Sequence, residues 1–441
     1  MNRDIEKKLL YWKNSKDKMP LLLRGARQVG KTYIIEKFGK NHFNSMVTIN
    51  LEQKPHFHSS FDSLEPNKIV SELELLSSKK ITQGETLLFL DEIQECPKAI
   101  MALRYFKEQM PELHVIGAGS LLEFTLNNEN FRMPVGRIGF LYLQPISFTE
   151  FLEATNQTNI LEQLKNINLK TPFSPAIHQH LLKLMREYTI LGGMPAVLNK
   201  YLLTNSFLEA GYIQSTLLDS YRGDFGKYAK KTIHLNLQLL FEKAPGLVAK
   251  WFKYKNVSPD LAPKNIKIAL IQLMHAGIIH LIYASSGSGL PLITSQNEKK
   301  FKLLFLDLGL VKRACRLDPE LLLQEDLLLL NNGALAEQLV GQELLAYQDQ
   351  HLIPELYFWI REQKNSSAEI DYLTIIDGQI IPVEVKSGTT GKLKSLKIFM
   401  EEKKSTIGVR VSQHMLSYEN NILSVPFYLL KELPRLIREL K

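Results

Sequence analysis

The stretch MPLLLRGARQVGKTYIIEKFG (residues 19–39) sets an apolar run, a turn with two glycines and a helix-forming run in direct succession. Within it, Gly25 to Thr32 match the spacing G-x-x-x-x-G-K-[ST], the pattern of a phosphate-binding loop. Gly25 and Gly30 let the backbone curl so that successive amide N–H groups face an anion, with the positive end of the following helix behind them. Lys31 is then placed to reach β- and γ-phosphates, and the Thr32 hydroxyl to ligate Mg²⁺. The whole loop, Gly25, Ala26, Arg27, Gln28, Val29, Gly30, Lys31 and Thr32, is expected to cradle ATP. A strand, such a loop and a helix imply an α/β fold: a P-loop NTPase parallel sheet with helices on both faces.

A loop of this kind needs an acidic residue at a second strand tip, and TLLFLDEIQE (86–95) supplies one after a run that reads as a buried parallel strand. Asp91 is expected in the Mg²⁺ shell, and Glu92 as the carboxylate that polarises the attacking water. LHVIGAGSLL (113–122) ends an adjacent strand at Ser120, a polar side chain able to sense the γ-phosphate. FRMPVGRIGFLYLQPISFTEFL (131–152) then offers Arg132 and Arg137. For Arg132 a surface ion pair is the preferred reading; Arg137 is the candidate to neutralise charge on the transferred phosphoryl group, within its own chain or across a subunit boundary.

The succession GARQVGKT, LLFLDEIQ, VIGAGS and VGRIGFLYLQPISFTEF resembles the AAA-type ATPases of bacteria and archaea that carry an uncharacterised C-terminal domain. The resemblance implies a Walker A loop, a Walker B strand, a sensor at Ser120 and an arginine-finger-like role for Arg137. VIGAGS departs from many relatives, which have a bulkier residue before the Gly-Ser pair. The family's frequent ring assembly makes a second copy of the chain a candidate partner.

From about 150 to 300 apolar residues recur at helical spacing, as in HQHLLKLMREYTILGGMPAVLNKYL, and suggest a helical lid and connector. YTILGGMP (188–195) resembles a signature of the same family and reads as a helix-breaking turn packed against the ATPase core, with Gly192, Gly193 and Pro195 at the bend. NIKIALIQLMHAGIIHLIYASSGSGLPLITS (265–295) reads as helix, strand, turn and returning strand, the tail of a winged helix, with His275 and His280 as core residues. In AKWFKYKN (249–256), Lys250, Lys253 and Lys255 interleave with Trp251, Phe252 and Tyr254. That mixture suits nucleic acid, but a core-facing aromatic helix with snorkelling lysines is the preferred reading.

Near the C-terminus, AEIDYLTIIDGQIIPVEVKSG (368–388) reads as two antiparallel strands joined by a DG turn. Glu384 and Lys386 are two apart and share a face that Asp371 can meet from the partner strand. Two carboxylates and a lysine suit metal-dependent phosphodiester cleavage, with Asp371 and Glu384 as metal ligands, Lys386 as a catalytic cation and Glu337 of GALAE completing the cluster. The pattern resembles the restriction-endonuclease-like PD-(D/E)xK superfamily, many members of which keep the fold without catalysis.

At 441 residues the chain exceeds one ordinary core. Three domains are expected: an AAA-type ATPase domain over 1–150, a helical and winged-helix-like connector over 151–298, and a small α/β domain over 299–441. The formal charge of +8 suits an anionic partner such as DNA or RNA, without requiring one. Cys96 and Cys315 are too few and too far apart for a disulfide framework or zinc site, which fits a reducing cytosol. The apolar stretch at 268–284 is too short and too interrupted to span a membrane, and the N-terminus lacks the apolar core of a signal peptide; a cytoplasmic protein is expected. Two functions stand side by side: an ATPase coupled to nucleic-acid processing, and a nucleotide-controlled interaction protein whose C-terminal domain docks without cutting.

Overall fold

The computed structural model describes residues 1–120, 122–126, 136–228, 231–317, 333–361, 368–387 and 393–440, without the side chains of 227, 228, 231 and 232. Two compact units result. The first comprises Met1–Gln144 with His275–Gly277 and Asp349–Pro354; the second comprises Pro145–Met274, Ile278–Gln348 and Glu355–Lys441.

In the first unit five strands, β1 (Leu21–Arg24), β2 (Ser45–Asn50), β3 (Thr86–Asp91), β4 (His114–Ala118) and β5 (Gly139–Tyr142), form one parallel sheet in the order β2-β3-β4-β1-β5. Every residue of β3 and β4 is buried, as continuous apolar runs require when a strand is covered on both faces. Leu88, Leu90, Ile93 and Val115 pack with Leu103 and Phe106 of the helix Pro97–Gln109 in its core. Parallel strands end at one edge, so the segments following β1, β3 and β4 converge there. That edge is where ligands bind in sheets of this kind.

The second unit holds a mixed eight-stranded sheet, β12-β13-β11-β10-β9-β8-β6-β7 in order. Its strands are β6 (Ile279–Ser285), β7 (Gln296–Phe305), β8 (Tyr357–Ile360), β9 (Glu369–Ile376), β10 (Gln379–Val385), β11 (Gly408–Ser412), β12 (Ser417–Glu419) and β13 (Ile422–Pro426). The β9–β10 hairpin forms as its DG turn predicts, with Asp377 and Gly378 both at positive φ.

Three expectations for the middle of the chain need correction. The helix Pro263–His275 followed by the β6–β7 hairpin matches the local winged-helix pattern, but β6 also pairs in parallel with β8, so the hairpin belongs to the eight-stranded sheet. The boundary expected at 298/299 falls inside β7, whose last five residues are buried in that sheet. AKWFKYKN is not a helix: Trp251 bridges to Lys302 and Val248 to Leu303, so this segment runs beside β7. The Gly192–Gly193 turn packs within the second unit. Gly193 N–H donates to Asp307 at 2.5 Å, and a Cβ on Gly192 would stand 2.2 Å from the same carboxylate.

A buried polar network links the helices of this unit. Glu343 accepts from the Phe148 amide at 3.0 Å and also meets the hydroxyls of Tyr347 and, at 2.7 Å, Tyr188. That hydroxyl is also 2.7 Å from the Ile146 carbonyl. A phenol has one proton to give, so a protonated Glu343 satisfies all three groups at once. Burial pushes the Glu343 carboxyl up to about 7. Between the unfolded value near 4.5 and this folded value, the native state holds the extra proton, so stability falls as pH rises through that window. We expect Glu343→Gln to flatten the decline between pH 5 and 7.5, a difference of roughly 2–3 kcal/mol. Thermal melts across that range check this; parallel curves for the two proteins would refute it.

Candidate nucleotide-binding site

The loop after β1 adopts the backbone that its glycines permit. Gly25 has φ +142° and Gly30 +98°, and a Cβ on Gly25 would stand 2.3 Å from the Leu143 carbonyl oxygen. Gln28 also takes a positive φ of 65°, and Gly30 is the N-cap of the helix Lys31–His42. Arg3 braces the turn by donating to the Val29 carbonyl at 3.1 Å and the Gln144 carbonyl at 2.6 Å.

Lys31 is buried and folds back on its own loop, donating to the carbonyls of Gly25 at 2.9 Å and Ala26 at 2.7 Å. Burial lowers its pKa to about 8, against the opposing pull of Glu92 and Asp91. It therefore stays mostly cationic at neutral pH. The Thr32 hydroxyl lies 3.2 Å from both oxygens of Asp91, and the Asn50 amide donates to the same carboxylate at 3.3 Å. Burial, then the neighbouring Glu92 charge, holds the Asp91 carboxyl above its usual range. A hydroxyl beside a buried carboxylate is a donor set that fits Mg²⁺, which takes few protein oxygens and fills its shell with phosphate oxygens and water.

Glu92 sits in the left-handed region at φ 48°, where the chain leaves β3. Gln94 donates to its Oε2 at 2.7 Å, and both the amide and the hydroxyl of Ser120 lie 3.4 Å from that oxygen. The glycine before Ser120 has a packing reason: a Cβ on Gly119 would stand 1.9 Å from Gln94 Oε1. Thus the loop, Asp91, Glu92 and Ser120 come together at one edge of the sheet.

Arg137 does not join them. It leads into β5, whose Gly139 pairs with Leu21 at the start of β1, whereas the loop follows Arg24 at its end. Arg137 lies at the opposite edge, about half exposed, with its guanidinium 3.3 Å from Glu108. A finger role within its own chain is thereby corrected, since β5 runs parallel to β1. Arg132 lies outside the described residues.

In the second unit Glu337, Asp371, Glu384 and Lys386 do gather, joined by groups the sequence did not mark. Lys302, buried on β7, lies 3.1 Å from Glu337 and 3.8 Å from Asp371 and also contacts Glu369. Trp251 donates to Glu369 at 2.6 Å, Lys386 to Glu384 at 2.6 Å and the Val385 amide to Asp371 at 2.7 Å. Burial and the Asp371 charge hold Glu337 and Glu384 above the usual carboxylate range. Lys302 is pulled down by burial, but Glu337, Asp371 and Glu369 outweigh that and raise it overall.

Asp371 and Glu384, expected as metal ligands, thus lie in one cluster with Glu337 and two lysines. Among the described residues no group of three His, Cys, Asp or Glu side chains could hold a metal ion. Lys302 sets one ammonium among the carboxylates of Glu337, Glu369 and Asp371.

No helix among the described residues is long and apolar enough to cross a membrane. No curated protein matches the chain. Three solved structures similar to it are the Walker-type ATPase PABY2304 of Pyrococcus abyssi, the ORC2 protein of Aeropyrum pernix in its ADPNP–ADP complexes, and the RuvB Holliday junction branch migration motor of Thermotoga maritima. The first is 15% identical with a TM-score of 0.43, covering 71% of this chain and 95% of that one. The second is 12% identical at 0.34, covering 72% and 90%. The third is 15% identical at 0.27, covering 64% and 89%. Residues 182–321 match a domain of unknown function (DUF8612), and residues 332–429 match another (DUF4143). Residues 17–152 match the AAA domain, and the chain carries an AAA-type P-loop ATPase domain there.

Proposed function

We propose that the protein is a Mg²⁺-dependent ATPase that uses nucleotide turnover to control a C-terminal module which docks a partner without cutting it. The observation that carries the first half is the meeting of the Thr32 hydroxyl with both Asp91 oxygens at 3.2 Å, beside a loop whose lysine is buried and cationic. In this reading the loop amides and Lys31 hold the triphosphate, and Thr32 and Asp91 hold the metal. Glu92 orients and deprotonates the attacking water, and Ser120 fixes the Glu92 carboxylate. When bound, Mg²⁺ supplies charge neutralisation between the β- and γ-phosphates. Arg137 takes no part in hydrolysis within its own chain. A role across a subunit boundary belongs to a homo-oligomer, which is part of this proposal and not of the geometry above.

The second half rests on Lys302. Its ammonium among Glu337, Glu369 and Asp371 occupies the centre of the cluster, which supports a restriction-endonuclease-like fold that binds and does not cleave. DNA or RNA is the partner class the net charge favours. We expect wild-type protein, incubated with ATP, Mg²⁺ and supercoiled plasmid, to release phosphate and leave the plasmid intact. Absence of phosphate release overturns the first half. Mg²⁺-dependent nicking that disappears in Glu384→Ala overturns the second.

A further inference from the structure

A row of polar residues crosses the sheet of the second unit in register. Glu384 of β10 pairs with Arg410 of β11, Arg410 with Ser424 of β13, and Ser424 with Ser417 of β12. In a sheet, residues paired this way share a face. Beyond Glu384 the row runs into an open groove of about 650 Å³, lined by Arg410, Ser417 and Ser424 on the strands and by Lys394 and Lys397 on the helix Lys394–Lys403.

The groove's cations are unspent. Among the described residues none of Lys394, Lys397 and Arg410 forms an ion pair or a side-chain hydrogen bond, and Arg410 Nε is buried without an acceptor. This contrasts with Arg361 and Arg438 of the same unit, which pair with Glu402 and Asp377. Glu401 and Glu419 also line the groove, leaving three cations against two anions. A buried guanidinium N–H without an acceptor is destabilising unless something fills the place. Helix Lys394–Lys403 begins here with no side-chain cap and no acidic residue in its first turn, so its free amides add to the positive field.

We propose that this groove is a phosphate-binding site, with the half-buried Arg410 as its anchor, Lys394 and Lys397 at its mouth, and the Ser417 and Ser424 hydroxyls as further donors. The ligand is a phosphate group presented either by a nucleic-acid backbone or by a free nucleotide. Guanidinium and ammonium groups converging with hydroxyls and a helix start form the donor set that recognises such a group. This site belongs to the second unit, whereas the loop at Gly25–Thr32 belongs to the first.

The test uses full-length Lys31→Ala protein, so that the first unit does not compete for nucleotide. The probes are inorganic phosphate, ADP and a fluorescein-labelled ten-nucleotide single-stranded DNA, followed by calorimetry for the first two and anisotropy for the third. We expect binding that inorganic phosphate competes away, weakened at least about tenfold by Arg410→Gln and about threefold or more by Lys394→Ala/Lys397→Ala. ADP binding without DNA binding identifies a nucleotide as the source; the reverse identifies the backbone. Should Arg410→Gln melt without cooperativity, the exposed double variant carries the test alone. The proposal is overturned if no probe binds, or if the folded groove variants bind every probe as tightly as the parent.

Discussion

Lys31→Ala is expected to weaken ATP binding by at least about a hundredfold. The wild-type ammonium is buried and held by two carbonyls of its own loop, Gly25 and Ala26, which it would exchange for phosphate oxygens when a triphosphate arrives. Removing it strips one full charge from a desolvated site, a change worth roughly 3–5 kcal/mol where a charged partner is left unpaired. It also leaves the Asp91 and Glu92 carboxylates nearby without their opposing cation, which adds repulsion against the phosphates. Calorimetry with ATP and Mg²⁺ reads the affinity, and a melting curve establishes that the variant is folded. An affinity within threefold of wild type would end the assignment of this loop.

Glu92→Gln is expected to separate binding from chemistry. The amide is isosteric and keeps an oxygen to accept from Gln94 and Ser120, which hold the wild-type carboxylate at 2.7 and 3.4 Å. Nucleotide affinity should therefore change by no more than a few-fold. What is lost is the basic oxygen, and general bases contribute about 10²–10⁴ in rate. Single-turnover phosphate release should fall by that factor, with ATP binding still measurable by anisotropy of a fluorescent analogue. Hydrolysis at the wild-type rate would assign the base elsewhere, and a parallel loss of affinity would make Glu92 a structural residue.

The parts of the site legible in the sequence are those fixed by local geometry. The Gly25–Thr32 spacing follows from what a backbone needs to wrap a phosphate, and Asp91 follows from a fully apolar strand ending in an acid. Arg3 and Asn50 were not legible, because each reaches the site from elsewhere in the chain, and Gln94, two residues after Glu92, carries no motif of its own. Gln94 and Gly119 could have been found together, since a glycine without a turn signal often marks a close side-chain approach. The same limit explains the middle of the chain: helix, strand and turn were read correctly from 265, although the returning strand begins only at Gln296, and nothing local told that β6 would pair with β8, more than 70 residues on. Lys302 was hidden for a related reason. Within KFKLLF it reads as a solvated lysine on an alternating strand. Only the fold brings Glu337, Glu369 and Asp371 around it.

The strand order of the first unit bears on how the chain acquires its nucleotide loop. β1 is flanked by β4 and β5, and neither neighbour is adjacent in sequence; its partners begin at His114 and Gly139. A nascent chain that has emerged only through β3 therefore holds the complete Gly25–Thr32 sequence with no strand on either side of β1. The closing contact is later still, because the carbonyl against which Gly25 is packed belongs to Leu143. Contacts of such sequence separation are the slow ones in folding. The loop is thus synthesised well before the strands and the carbonyl that support it, which leaves its glycines and lysine exposed in the interval.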